Sequence, residues 1–294
     1  MTLEQLRIFV AVAERQHVTA AAAALGLTQS AASAAVAALE TQYDLKLFHR
    51  LGRGIALTEE GTLFLDEARA VLARAGEAET ALCDLGGLKR GMLRVFASQT
   101  VGTYWLPQRL LAFRTAYPGI GLDYSIGNTE QVAEAVREGA VQLGFVEGAV
   151  HDPHLKSKIV GRDRLLLVVG PGHPWAGRKK PVKPAQFKET AWVLREKGSG
   201  TRAMFDAALA AHRLEAAALD VLLELPSNEA VVTAVSGGAA AAILPTAAVL
   251  SGLEAGLLHA VPVALPERCY YLLTHKARHL GRSAEAFLAT AKIS

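Results

Sequence analysis

The polar residues whose types and spacing could do chemistry fall into two sets. In the first, Ser98-Gln99-Thr100 directly follows the apolar run Leu93–Ala97, where a helix should begin. The first N–H groups of a helix lack intrahelical acceptors and the helix dipole is positive there, so hydroxyls and N–H groups at that point favour an anion. The run from Arg195 through Glu196, Lys197, Gly198, Ser199, Gly200 and Thr201 to Arg202 repeats the arrangement, with small residues and flanking cations. Ser98, Gln99, Thr100, Ser199, Gly200, Thr201 and Arg202 are therefore candidate ligands of a small anion held from two sides. Thr129 opens a further helix and adds a candidate donor, although a plain N-cap accounts for Asn128-Thr129 equally well. Glu147 ends a strand toward the same region, but a carboxylate repels an anion and it is assigned no ligand role.

The second set lies near the N-terminus. Thr28, Gln29, Ser30 and Ser33 stand at the start of a helical segment, and their short side chains can hydrogen-bond base edges in a major groove. Arg50 and Arg53 follow in a glycine-flanked hairpin and suit phosphate or minor-groove contact.

Other chemistries lack their residues. There is no Ser/His/Asp order, nucleophile elbow or phosphate-binding loop, and Gly198-Ser199-Gly200 lacks the third glycine of a dinucleotide fingerprint. Apart from His275 and His279, which stand four positions apart, the histidines between His151 and His279 show no HxH or HxxxH spacing, so packing or surface roles are expected for them, with no metal site and no cofactor. Cys83 and Cys269 lie far apart with no CxxC spacing, which reads as reduced thiols. Enzymatic activity is not expected.

The elements that position these residues follow from periodicity. Leu3, Leu6, Phe9, Val10 and Ala13 share one helical face. After Gln16-His17, Thr19 is expected to cap a short second helix over Ala20–Leu25, stopped by Gly26. Thr28 caps a third, with Ala31, Ala32, Ala35, Val36 and Leu39 inward, running to about Tyr43. A short helix, a glycine turn and a second helix make a helix-turn-helix. Leu47 to Thr58 reads as a hairpin wing.

From Thr58 to Leu88 a helical apolar stripe (Leu63, Phe64, Ala68, Val71, Leu72, Ala75, Ala78, Leu82) predicts a long linker helix, ending at the hinge glycines Gly86, Gly87 and Gly91. The stripe is expected to pack on a second copy rather than fold back. Residues 91–294 then alternate strand-like runs with helices, which predicts parallel sheets with a ligand site at the strands' carboxyl ends.

Composition bounds the rest. With 294 residues the chain is long enough for two or three domains. The formal net charge is +3, yet residues 1–58 hold five Lys/Arg against four acids, so electrostatics alone would not announce a nucleic-acid partner. Neither a signal peptide nor a membrane span is read, and a cytoplasmic location is expected.

The order of motifs resembles the LysR-type transcriptional regulators. Leu3-Leu6-Phe9-Val12 matches the family's LxxFxxV helix, Ala20 through Glu40 its AAxxLxxTQSAxSxxVxxLE run, and Leu47 through Gly61 its LFxRxxRxxxLTxxG run. One departure is that residues 28–42 hold no basic residue, where many members carry Arg or Lys just after the position of Ser33. The resemblance implies an α/β chain in three parts. These are a winged helix-turn-helix over 1–58, a dimerising linker over 59–90, and a two-lobed domain over 91–294 similar to periplasmic binding proteins. Lobe I would hold 91–160 and 263–294, and lobe II 161–262. The implied partners are promoter DNA, a small anionic effector such as a sulfate- or sulfite-like ion or a small carboxylate, a second copy in a homodimer or homotetramer, and RNA polymerase. The alternative is a solute binder without a transcriptional role, which would bring a signal peptide.

Overall fold

The chain starts with a reciprocal cap. Thr2 Oγ1 accepts from Gln5 N while Gln5 Oε1 accepts from Thr2 N, which starts helix α1, Leu3–Arg15. The structure is a computed structural model that describes residues 1–51, 54–85 and 91–293. It divides into two compact units, one built on Met1–Leu82 and the other on Cys83–Arg137 with Val141–Ser294.

In the first unit, α1 buries Leu6, Ile8, Phe9 and Val12. Helix α2, Val18–Ala24, is capped by His17, whose Nδ1 accepts from Ala20 N at 3.2 Å. The expected cap at Thr19 is thus displaced by two residues, because an imidazole nitrogen does the work of a hydroxyl oxygen. Gly26 takes a φ of +68° in the turn, and Thr28 caps helix α3, Gln29–Tyr43, by accepting from Ala31 N at 3.2 Å. The axes of α2 and α3 differ by 110°, as a helix-turn-helix requires. Strands β1, Phe48–Leu51, and β2, Gly54–Leu57, form the antiparallel wing.

Helix α4, Glu59–Leu85, is joined to the wing by one residue pair. Thr58 Oγ1 accepts from Gly61 N at 2.9 Å and donates to Lys46 O at 2.7 Å. A side chain on Gly61 would bring its Cβ within 2.1 Å of the Leu47 carbonyl oxygen. The LTxxG spacing therefore encodes a cap and a close backbone approach. Phe9 locks the junction, with its ring centroid 5.4 Å from Phe48 of the wing and 4.9 Å from Phe64 of α4. Leu63, Val71 and Leu82 of α4 remain exposed.

The second unit holds two lobes. The elements of lobe I are β3 (Gly91–Ser98), α5 (Pro107–Ala116), β4 (Ile120–Gly127), α6 (Thr129–Glu138), β5 (Leu143–Glu147) and β6 (Leu155–Asp163). Lobe II follows with β7 (Leu165–Val169), β8 (Ala191–Arg195), α7 (Gly200–Ala210), β9 (Asp220–Leu225), α8 (Asn228–Ser236), β10 (Ala240–Pro245), α9 (Thr246–Glu254) and β11 (His259–Val261). The chain then returns to lobe I through β12 (Arg268–His275) and α10 (Arg282–Thr290). The five-stranded sheets run β4-β3-β5-β12-β6 and β11-β7-β10-β8-β9.

Both sheets are mixed, which corrects the expectation of parallel ones. Strand β12 runs antiparallel to β5 and β6, and β7 antiparallel to β10 and β11. The first strand after each crossing, β7 in lobe II and β12 in lobe I, runs against its neighbours, which a simple alternation of strand and helix does not reveal. Strand β6 continues to Asp163, so the first crossing falls at Arg164 rather than near Val160. Trp192, fully buried, anchors lobe II, its Nε1 donating to Phe187 O at 2.8 Å.

Candidate effector cleft and DNA-reading face

The strand ends set the cleft. Strand β3 delivers Ser98, Gln99 and Thr100 from lobe I. The turn after β8 delivers Ser199, Gly200 and Thr201 from lobe II, and the start of α8 delivers Asn228. Thr100 and Thr201 are buried, at 0% and 2% exposure, and are joined through one guanidinium. Arg268, at the start of β12, donates from Nη1 to Thr201 Oγ1 at 3.0 Å and from Nη2 to Thr100 Oγ1 at 3.5 Å. Asp163 balances it, accepting from Nη2 at 2.6 Å and from Nε at 3.1 Å. Tyr270, close by, has its phenol pushed far above its ordinary range by burial and then by the charge of Asp163, so it stays protonated.

A second arginine braces the far side. Arg195 Nη1 donates to Asn228 Oδ1 at 2.9 Å and to Gln99 Oε1 at 3.2 Å, while its Nε and Nη2 donate to Glu196. Asn228 Nδ2 donates to Thr100 Oγ1 at 3.1 Å. Gln99 and Tyr104 both donate to Glu229 of α8 at 2.6 Å. This is a closed network in which the two lobes meet through polar side chains.

The geometry decides which hydroxyl does what. Thr100 Oγ1 accepts from Asn228 and Arg268, so its two lone pairs are engaged and its O–H is left to donate. Thr201 Oγ1 accepts from Arg268. Among the described residues Ser98 Oγ, in a residue 1% exposed, has no hydrogen-bond partner. Hydroxyls held as donors, with cations behind them, suit an anion.

Beside this network a cavity of about 510 Å³ lies between the lobes, lined by Thr129, Glu147, Ser199 and Gly200 among others. Thr129 also sits 3.4 Å from Glu147 O. Glu147 is buried at 3% exposure, and its Oε1 accepts from Thr100 N at 2.9 Å. The backbone donor expected to face an anion at Thr100 is therefore already taken by a carboxylate of the protein itself.

The candidate Arg202 does not join this group. Its Nη1 donates to Glu224 at 2.7 Å and to Arg195 O at 3.1 Å, and its Nε to Asp206 at 3.0 Å. Burial alone would lower its pKa, but these two acids raise it. All three partners are in lobe II, so Arg202 braces that lobe. Reading the sequence missed Arg268, while Arg195 entered it as a cation flanking the glycine turn. Arg268 stands 67 positions from Thr201 at the head of a strand, where no local motif marks it.

In the first unit Thr28, Gln29 and Ser30 are exposed and Ser33 is half-buried. Gln29 Nε2 donates to Ser33 Oγ at 2.9 Å, and the hydroxyls of Thr28 and Ser30 lie 3.0 Å apart. Ser33 and Arg50 line a common groove of about 390 Å³ between α3 and the wing. Arg53 and the hinge glycines Gly86 and Gly87 lie outside the described residues. Glu40 of α3 holds the wing in place. Its Oε1 accepts from Leu47 N at 2.8 Å and Phe48 N at 3.3 Å, and its Oε2 from Lys46 at 2.8 Å. Burial alone would raise its pKa, but these donors and the Lys46 charge hold it below the ordinary carboxylate range.

A helix-turn-helix with a wing, followed by a two-lobed domain with a polar cleft, defines a DNA-binding transcription regulator that carries a ligand-binding domain. Residues 3–62 match the family "Bacterial regulatory helix-turn-helix protein, lysR family", and residues 86–293 the LysR substrate binding domain. The chain belongs to the LysR family of transcriptional regulators, which are not enzymes. It is 34% identical over 290 residues to the uncharacterized HTH-type transcriptional regulator YeiE of Escherichia coli (strain K12), covering 98% of this chain and 96% of that one. It is 33% identical over 292 residues to a probable RuBisCO transcriptional regulator of Guillardia theta, covering 97% and 94%. The regulatory domain of CcmR from Synechocystis PCC6803, solved in complex with 2-PG, is similar with a TM-score of 0.63 and 26% identity, over 69% of this chain and 97% of that one. Among the described residues no single helix is long and apolar enough to cross a membrane.

Proposed function

We propose that this regulator senses a small anion, a sulfate- or sulfite-like ion or a small carboxylate, bound between the lobes by Ser98, Gln99, Thr100, Thr129, Ser199, Gly200 and Thr201. The observation that carries this reading is the pair Thr100 and Thr201, one from each lobe, both accepting from Arg268 at 3.5 and 3.0 Å. Their O–H groups are left to donate, and an acceptor that reaches both would tie the lobes together. The CcmR regulatory domain was solved with 2-PG, which supports a small-molecule ligand for this domain type.

On the DNA side, Thr28, Gln29, Ser30 and Ser33 read bases, while Arg50 and Arg53 hold the backbone. The exposed Leu63, Val71 and Leu82 of α4 pack on a second copy in a homodimer or homotetramer, so that two or more weakly cationic heads bind together. Residues 1–58, 59–90 and 91–294 divide the work of reading, pairing and sensing. Effector binding shifts the lobes and with them the spacing of the heads, which RNA polymerase then meets at the promoter.

Thermal-shift measurements with sulfate, sulfite, phosphate and short carboxylates test the effector reading, because a ligand of the folded state raises the melting temperature by mass action. A rise in wild type that Thr100→Ala and Thr201→Ala both remove is expected. An unchanged rise in both variants moves the site elsewhere.

A further inference from the structure

A carboxylate inside an anion site sets a condition on the anion. Glu147 ends β5 with its side chain buried, and its Oε1 accepts from Thr100 N at 2.9 Å. A carboxylate offers about four lone-pair sites. Among the described residues its other partner is Thr129 Oγ1, 3.5 Å from Oε2, a hydroxyl that is also 3.4 Å from Glu147 O. Among the described residues that leaves about two of its lone-pair sites open beside the cavity it lines, where a ligand can supply the missing donor.

Glu147 is also the group shared by the two parts of the cleft. It bonds to Thr100, whose hydroxyl belongs to the Arg268 network, and it lines the cavity alongside Thr129, Ser199 and Gly200. Donor hydroxyls on one side and an acceptor carboxylate on the other converge within the width of one residue, Thr100. A fully deprotonated oxyanion satisfies the hydroxyls but sets lone pair against lone pair at Glu147. An oxyanion that keeps one proton satisfies both.

Resting on the anion-site reading above, we propose that Glu147 is a specificity residue which selects a protonated oxyanion by accepting the O–H of the bound anion, and excludes anions that carry no proton at neutral pH. The ligand class is thereby narrowed to conjugate bases of polyprotic oxyacids such as hydrogen phosphate or hydrogen sulfite, and sulfate is rejected. The close approach enforces the choice. A Cβ on Gly200 would lie 2.5 Å from Glu147 O, so the turn of lobe II packs directly on this residue and holds it in place.

Sulfate and phosphate provide the test, being tetrahedral ions of similar size that differ at neutral pH in the proton phosphate carries. Calorimetric titration of the full chain with each ion at pH 7 should show phosphate binding ~100-fold more tightly than sulfate, the scale by which a built hydrogen-bonding site rejects a ligand lacking its partner. Glu147→Gln replaces the carboxylate by an isosteric amide that can donate, so sulfate should bind the variant at least tenfold more tightly than wild type, and the preference for phosphate should collapse. Sulfate binding wild type as tightly as phosphate overturns the proposal and leaves the anion site standing. So does a folded Glu147→Gln protein that keeps the wild-type preference. Binding of neither ion, with a response to an ammonium-bearing ligand such as glycine, overturns the anion-site reading and the proposal together. The wild-type comparison needs no variant, so a folding defect in Glu147→Gln leaves the test intact.

Discussion

Arg268 of the last strand donates to Thr201 Oγ1 at 3.0 Å, so a residue of lobe I orients a hydroxyl of lobe II from beneath the cleft. The guanidinium is wholly inaccessible to solvent and its countercharge, Asp163, nearly so, with side chains 0% and 7% exposed. Removing one member of such a pair leaves an uncompensated buried charge. Arg268→Met is expected to cost about 3–5 kcal/mol, and Arg268→Met combined with Asp163→Leu to recover much of that loss. Trp105, Trp175 and Trp192 all lie in the second unit, so tryptophan fluorescence during urea unfolding reports on that unit alone. A single variant as stable as wild type would contradict this account of the pair.

Glu40 makes the first unit sensitive to acid. Its folded pKa lies below the unfolded value, so its contribution is fully present above the ordinary carboxylate range and is lost as pH falls through the lower, folded value. Protonation removes acceptors from Leu47 N, Phe48 N and Lys46, all at the base of the wing. Glu40→Gln at neutral pH should cost about 1–2 kcal/mol. Native-state amide exchange at Leu47 and Phe48 checks it, with protection expected to drop in Glu40→Gln and in acidified wild type.

For DNA, the two groups of residues predict different failures. Gln29→Ala or Ser33→Ala should relax sequence preference, with a loss of about 1–3 kcal/mol confined to the native site. The bond between Gln29 Nε2 and Ser33 Oγ means that either change also frees its neighbour, so the double variant should lose less than the sum of the two. Arg50→Ala and Arg53→Ala should instead weaken native and unrelated DNA alike, each lowering the salt slope by about one. Fluorescence anisotropy on both duplexes over a salt series separates these outcomes. Equal losses on both duplexes for Gln29→Ala would remove it from the base-reading set.

The order of elements was legible because each has a local cause. Thr28 caps α3 through Ala31, Gly26 turns the chain, and Thr58 caps the linker through Gly61, so each signal is local. What escaped depends on distant parts of the chain. Strands β4 and β6 are edge strands with exposed midsections, so neither carries a continuous apolar run. Arg268 acquires its role only when β12 is laid beside β6 and opposite α7. Arg202 shows the converse, since its place in a promising motif said nothing of Glu224, 22 positions on, which engages it. Glu147 was set aside on charge alone, before the protein's own donor at Thr100 was visible.

Gly200 gives the sharpest separation of folding from lobe closure. It is the first residue of α7, and it faces lobe I so closely that a Cβ would meet Glu147 O at 2.5 Å and Thr129 Oγ1 at 2.8 Å. The 2.5 Å neighbour is backbone and cannot rotate aside. Yet Gly200 does not take a positive φ, so alanine fits the local conformation of α7 and should stabilise the helix itself slightly. Gly200→Ala is therefore expected to fold and to keep both lobes intact while holding them apart. Contacts across the cleft would weaken, among them Thr100 with Asn228 and Gln99 with Arg195. Thermal-shift response to an anion should be lost, with tryptophan-monitored stability within about 1 kcal/mol of wild type. DNA binding in the absence of effector should persist. A Gly200→Ala protein that responds to the anion as wild type does would show that binding does not require the lobes to approach this closely.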